Sequence, residues 1–332
     1  MIRRKSDSAR LLAACERIST GRLRLVTPEG ETHEFGPGPR GAEIELNDWA
    51  AARPILAQRP EALAESYARG LWHSRDGEAV ARLFRLNAAA FPAPTPRRLP
   101  FRRPERLPGN EFFQLFLDPG MSFTAALFQT GDDDLGRAQH RKYDRVLDRL
   151  GAGPRLLDMT CGWGGLMERA AARGHEVTGV AARAEQRAFA AARLDGQAAI
   201  HLGPSRLTGR FDGIAAVEPD AAALPALLAS MKAHLAEGGR ALLQTVAVPG
   251  ADTLPEAARQ AGLTAQERFA FGADYARTFR HWAGRLDASA RRAARLGVGE
   301  DVRRRWRWRF ESAAAAFALG EREVVQWDLS HA

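Results

Sequence analysis

From residue 135 onward the chain alternates between two hydrophobic rhythms: apolar positions at helical spacing, and short continuous apolar runs. The pattern predicts helices over 135–150, 164–173, 183–194 and 221–236. It predicts strands over 155–158, 176–180, 198–202, 211–217 and 240–248. Strands alternating with helices predict a mostly parallel sheet with helices on both faces, a doubly wound α/β fold. Ligands of such sheets sit at the carboxyl ends of the strands. That groups 158–165, 180–183 and 217–220 around one crevice.

Before residue 135 the pattern is different. Residues 8–18 read as a short amphipathic helix, 21–36 as a hairpin turning at Pro28-Glu29-Gly30, and 43–47 as another strand. Residues 48–90 read as helices with Trp72 in a loop, so 1–90 is expected to be a small α+β domain. Residues 91–109 carry six prolines and five arginines (Arg97, Arg98, Arg102, Arg103 and Arg106), a density that prevents helix and strand alike. That segment reads either as a solvated linker or as an anchor for anionic headgroups, worth about 1 kcal/mol per residue near a membrane surface. Residues 110–332 then form the second domain, ending in a helical tail over 273–318. In that tail Trp306 and Phe310 share one helix face while Arg303 and Arg307 share another. A core-facing aromatic stripe with a solvated basic face is the expectation, not a nucleic-acid patch, since no stacking platform accompanies it.

Composition narrows the field. The 332 residues are 45% hydrophobic, with a net charge of +8, so an ordinary globular protein is expected, with anionic partners favoured. Two cysteines, Cys15 and Cys161, exclude a disulfide framework. His73, His140 and His281 show no metal-ligand spacing. No signal-type or membrane-spanning apolar run is visible, so a cytoplasmic location is expected.

The chemistry concentrates in Asp158-Met159-Thr160-Cys161-Gly162-Trp163-Gly164-Gly165, a glycine-rich turn between an apolar strand and a helix. Such a turn lets a backbone approach a nucleotide-type ligand and aims helix N–H groups at it. A dinucleotide site wants G-x-G-x-x-G and an acid about 20 residues on. Here strand two ends Gly179-Val180-Ala181-Ala182-Arg183, and the D-x-x-C-G-x-G-G pattern is closer to S-adenosylmethionine (SAM) methyltransferases. With Asn110 to Pro119 upstream, Glu185-Gln186, and Phe271-Gly272-Ala273-Asp274-Tyr275 with Thr278 and Trp282 downstream, the chain resembles the cyclopropane-fatty-acyl-phospholipid synthase family. The hairpin and Glu65 to Trp72 resemble that family's small lipid-binding domain.

The resemblance implies a Rossmann-like class I methyltransferase that transfers a carbon from SAM to an unsaturated phospholipid acyl chain, a bound bicarbonate removing the proton that closes the ring. It implies cofactor contacts from Ser122, Asp158, Thr160, Cys161, Gly162, Gly164 and Gln186. The departures cluster at the bicarbonate site. Phe123 stands for the family's Cys, Ala221 and Ala222 for its Glu and His, and Phe269 or Ala270 for a further His, while its Tyr falls at or beside Trp308. Phe and Ala offer bicarbonate no donor or acceptor and Trp only an indole N–H, so that site is expected to be lost. In the cofactor pocket Thr160 replaces a glycine, Ala181 a threonine, and Gly203-Pro204-Ser205 an acidic position. Glu218 and Asp220 stand where a substitute base is expected, with Tyr275 as a surviving phenol. Glu218 and Asp220 equally suit a helix N-terminus, and Tyr275 a packed core position.

Three functions follow as alternatives. The first is modification of unsaturated or methylated acyl chains other than simple cyclopropanation, such as a step of furan fatty acid formation. The second is SAM-dependent acyl methyl transfer. The third is a catalytically silent lipid-binding subunit paired with an active homologue. The expected partners are phospholipid acyl chains and an anionic membrane surface at the inner face, with no nucleic acid, and a homodimer or a second lipid-modifying enzyme as the assembly.

Overall fold

A computed structural model describes residues 6–39, 41–91, 109–129, 134–204, 207–251 and 253–332. The arginine-rich segment 92–108 and Ser205 lie outside the described residues. The chain divides into two compact units, one of residues 1–107 with 279–319 and one of 108–278 with 320–332.

In the first unit α1 (Asp7–Cys15) precedes β1 (Leu23–Val26), β2 (Thr32–Phe35), β3 (Ala42–Leu46), α2 (Ala52–Ala57), α3 (Pro60–Ala68), β4 (Trp72–His73) and α4 (Gly77–Leu86). The strands order β2-β1-β3-β4. Leu23, Leu25, Ala42, Ile44 and Leu46 point one way at period two and build one face of the core. Gly30, at φ +87°, supplies the turn of the expected hairpin. Trp72 is not in a loop: it pairs with Leu46 in β4 and is fully buried, its indole N–H donating to Ser66 Oγ at 2.9 Å.

The second unit contains α5 (Asn110–Phe113), α6 (Leu135–Leu150), β5 (Arg155–Asp158), α7 (Gly165–Ala171), β6 (Glu176–Ala181), α8 (Ala184–Leu194), β7 (Ala198–Leu202), β8 (Phe211–Val217), α9 (Leu224–His234), β9 (Leu235–Ala247), α10 (Leu254–Gln260) and β10 (Leu263–Ala270). The helix α11 (Gly272–Ala288) follows, with residues 272–278 in this unit and 279–288 in the first. Next come α12 (Ala290–Arg295) and α13 (Glu300–Ala318) of the first unit, then β11 (Glu323–His331) of the second.

Residues 279–318 of the expected tail therefore belong with the first unit. There α13 packs on α3 and α4, and its basic face is not solvated. Trp306 and Trp308 lie about 200° apart around the helix, and both are buried. The arginines between and beside them are forced into ion pairs: Arg303 and Arg307 with Asp287, Arg305 with Glu65.

Among the described residues the large sheet has seven strands in the order β10-β11-β9-β8-β5-β6-β7. From β9 to β7 the pairing is parallel; β11 runs antiparallel between β9 and β10. The prediction missed α10, β10 and β11. Each central strand is buried on both faces, as parallel sheets require. Leu156, Ala215 and Leu242 pack with α6 and α7, whereas Leu157, Ile214, Ala216 and Leu243 pack with α9 and α10. This is the doubly wound α/β, Rossmann-like architecture expected from the sequence. Strand order reverses direction at β5 and β8, and the crevice beyond their carboxyl ends is the natural ligand position.

Candidate active site at the β5–β8 switch point

The glycine turn is built from β5 outward. Asp158 is 2% exposed and its Oδ1 accepts the Thr160 N–H at 3.0 Å; burial pushes its carboxyl up to about 6. The Cys161 N–H reaches the Val180 carbonyl at 3.0 Å, tying the turn to β6. Burial also pushes the Cys161 thiol up, so it stays neutral. The two turn glycines serve different purposes. Gly164 (φ +88°) packs so closely on α8 that an added Cβ would sit 3.1 Å from Ala190. At Gly162 (φ +52°) a Cβ would meet nothing nearer than the Thr160 carbonyl at 3.9 Å, so this backbone faces open space. Thr160 has a bond no glycine could make: its Oγ1 accepts the Val217 N–H at 2.7 Å and staples the β5 turn to the end of β8.

Glu218 follows Val217 directly, with φ +51°. Oε1 accepts the Ala125 N–H at 2.9 Å and Gln244 Nε2 at 2.8 Å, and Oε2 accepts the Tyr275 hydroxyl at 2.7 Å. Desolvation raises its proton affinity while these donors and Lys142 oppose the rise. Lys142 of α6 is completely buried and donates to Thr124 Oγ1 at 2.7 Å; burial lowers its ammonium to about 8. Asp274 and Thr278 of α11 take the neighbouring amides of Phe128 and Ala126, both at 3.0 Å. The first turns of α11 thus hold the 124–128 segment against the end of β8.

Ser122, 3% exposed, lies in a buried knot: its N–H and Oγ donate to Asp118, and Oγ meets Tyr143 Oη at 2.6 Å. A Cβ on Gly165 would fall 2.5 Å from the Gly120 carbonyl, so only glycine lets this knot approach the start of α7. Phe123, 37% exposed, packs edge-on against Phe113, which in turn tilts on Trp163 of the turn. Gln186 keeps a buried Oε1 with no partner among the described residues, as does Arg183 with its Nε.

The structure therefore joins Glu218, Tyr275, Asp158, Thr160, Cys161 and Gly162 at one switch point. It separates Asp220, which is exposed and spends Oδ1 on the Ala222 N–H at 3.0 Å. Asp220 caps the short turn 221–223, the helix N-terminal role its position beside Pro219 also suggests. Trp308 is a core residue of the first unit, 5.0 Å from Trp72, and Phe269 stacks on Phe271. Sequence reasoning missed Lys142 and Gln244. Both were visible as polar positions inside apolar patterns: Lys142 on the Ala138–Tyr143–Val146 face of α6, Gln244 in the run Ala241 to Ala247.

A methyl-donor nucleoside fits part of this frame. The open backbone at Gly162 and the orphan acceptor on Gln186 suit it; the Thr160 side chain narrows the turn, and no acid ends β6. The family model described as mycolic acid cyclopropane synthetase matches residues 108–257 and 246–327. A tuberculostearic acid methyltransferase of Mycobacterium tuberculosis is 26% identical, over 92% of this chain and 87% of its own. A cyclopropane synthase of M. tuberculosis superposes with a TM-score of 0.62 at 25% identity, covering 67% of this chain and 94% of that one. A mycolic acid cyclopropane synthase solved with S-adenosylhomocysteine shares the fold at TM-score 0.62 and 23% identity, over 67% and 94% of the two chains.

Proposed function

The chain belongs to the mycolic acid cyclopropane synthetase family, and we propose that it modifies unsaturated or methylated fatty acyl chains of membrane phospholipids without bicarbonate, using Glu218 as a resident base. The observation that carries this reading is the Glu218 carboxylate itself, gripped by Ala125, Gln244 and Tyr275 at the end of β8. A carboxylate with proton affinity raised by burial is suited to taking a proton from carbon near neutral pH. Tyr275 orients Oε2 toward that task, and Phe123, exposed and backed by the buried Phe113 and Trp163 rings, offers an apolar contact for a lipid chain.

SAM, where bound, would supply a methyl group, held by Asp158, Cys161, Gly162 and Gln186. Thr160 restricts this turn, so affinity for SAM is expected to be weak. A second reading, plain acyl methyl transfer, is favoured by the full-length relative named for that activity. Furan fatty acid formation is a finer version of the first reading, and it calls for an external oxidant.

Expression in a host with monounsaturated phospholipids, followed by mass spectrometry of extracted acyl chains, tests this. An added carbon supports methyl transfer; hydrogens lost from a supplied methylated chain support the later step. Lipids identical to those of a Glu218→Gln control would overturn both. Among the described residues no helix is long and apolar enough to cross a membrane, and we place surface attachment on Arg97, Arg98, Arg102 and Arg103. Neutralising these four should weaken sedimentation with phosphatidylglycerol vesicles, and equal binding would refute the anchor.

A further inference from the structure

Glu218 is held by more than its immediate neighbours. Gln244 on β9 stands directly opposite Gln326 on β11, and the two are 0% and 1% exposed. Gln326 Nε2 donates to Gln244 Oε1 at 2.9 Å. Arg145 Nε, on α6, donates to Gln326 Oε1 at 3.0 Å while its guanidinium lies 3.8 Å over the Phe269 ring. A guanidinium has donors only, so it fixes the direction of every amide after it. Each Gln accepts from the Arg145 side and donates toward Glu218. The backbone repeats the grip, since the Glu218 N–H donates to the Gln244 carbonyl at 2.8 Å.

We propose that Arg145, Gln326 and Gln244 are positioning residues, forming a one-way hydrogen-bond chain that carries the positive end of a guanidinium to Glu218 and confines any proton there to Oε2. Oε1 already takes N–H bonds from Ala125 and Gln244, which leaves that oxygen the poorer place for a proton. Oε2 faces the Tyr275 hydroxyl, which both donates and accepts. When Oε2 takes up a proton, Tyr275 turns from donor to acceptor. Aligned hydrogen bonds polarise one another in a low-dielectric interior, so the charge of Arg145 is felt at Glu218 through two neutral side chains. The other ionisable groups facing Glu218 are Lys142 from α6 and Tyr275 from α11, and Lys142 in turn faces Asp118 and Asp158. None of these is altered in the test. The chemical consequence, a base with one working oxygen, rests on the function proposed above; the ionisation of Glu218 does not.

The test is a pH titration of the full-length chain by infrared difference spectroscopy with ¹³C-labelled glutamate, the Glu218 band being assigned by its loss in Glu218→Gln. Gln244→Leu should move the midpoint upward by about one pH unit, a tenfold change in proton affinity. Gln326→Leu and Arg145→Met should move it in the same direction by less, and Arg145→Lys should keep most of the native value. An unchanged midpoint in Gln326→Leu and Arg145→Met would reduce the chain to packing and overturn the proposal. If Gln244→Leu does not fold, Arg145→Met, at a half-buried helix position, decides alone. Shifted midpoints with unaltered lipids would keep the relay and remove the proposed activity; altered lipids with fixed midpoints would do the reverse.

Discussion

Two groups of enclosed charge, one in each unit, are solved in opposite ways. Around α13 each enclosed anion meets a guanidinium: Arg303 bonds Asp287, Arg305 bonds Glu65, and Arg307 lies 3.1 Å from Glu311. Arg304 spends its donors on the carbonyls of Tyr67 and Trp72. At the switch point Asp118, Asp158 and Glu218 are bonded instead by amides and hydroxyls, with Lys142 as the nearby cation. Direct ion pairs neutralise charge and hold helices together. Neutral donors orient a carboxylate and leave its charge available. The second arrangement is the one a reaction can use, and desolvating a charge without a direct counter-ion costs stability.

The contrast can be broken most sharply at Glu218 and Glu311. Glu218→Gln should cut lipid modification at least about a hundredfold with unchanged or higher thermal stability, while Glu311→Gln leaves turnover intact; equal losses would erase the distinction. Asp158→Asn comes next. The folded protein holds this carboxyl at about 6 against an ordinary 3.8, so it penalises the charged form. That penalty is fully present above pH 6 and disappears as pH falls toward 3.8. Urea denaturation should show the variant more stable at pH 7.5 by up to about 3 kcal/mol, with the gap closing by pH 4.

Thr160→Gly should tighten SAM binding several-fold in a calorimetric titration and lose about 1 kcal/mol of stability with the Val217 bond. No gain in affinity would clear Thr160 of blocking the turn. The smallest effect on turnover belongs to Glu311, whose carboxyl burial raises to about 7 despite Arg307. The native fold should gain stability from this group as pH falls from 7 toward 4.5. Glu311→Gln should flatten that slope, by up to about 2 kcal/mol, between melts at pH 5 and 8.

Legibility in the sequence followed locality. Residues 135–150, 155–158, 198–202 and 211–217 matched their predicted bounds because each is an apolar pattern ended by glycine, proline or charge. The last two strands were missed for a different reason. β10 is interrupted by Glu267-Arg268, where its register with β11 shifts, and β11 takes its place only against partners far away in sequence. The site divides likewise. Asp158, Gly162 and Gly164 declare themselves in one short motif, and Glu218 in the end of one strand. That Gln244 meets Gln326, 82 residues on, is fixed by strand order alone. Asp220 offers the same chemistry one turn away, and its side chain bends back onto its own turn, which the sequence leaves open.

The backbone of Glu218 carries one more consequence. A left-handed conformation costs a side-chain-bearing residue about 1 kcal/mol and glycine almost nothing. Backbone preference alone would hand this position to glycine. The strain the chain tolerates there is therefore a lower bound on what the carboxylate contributes by pointing where it does.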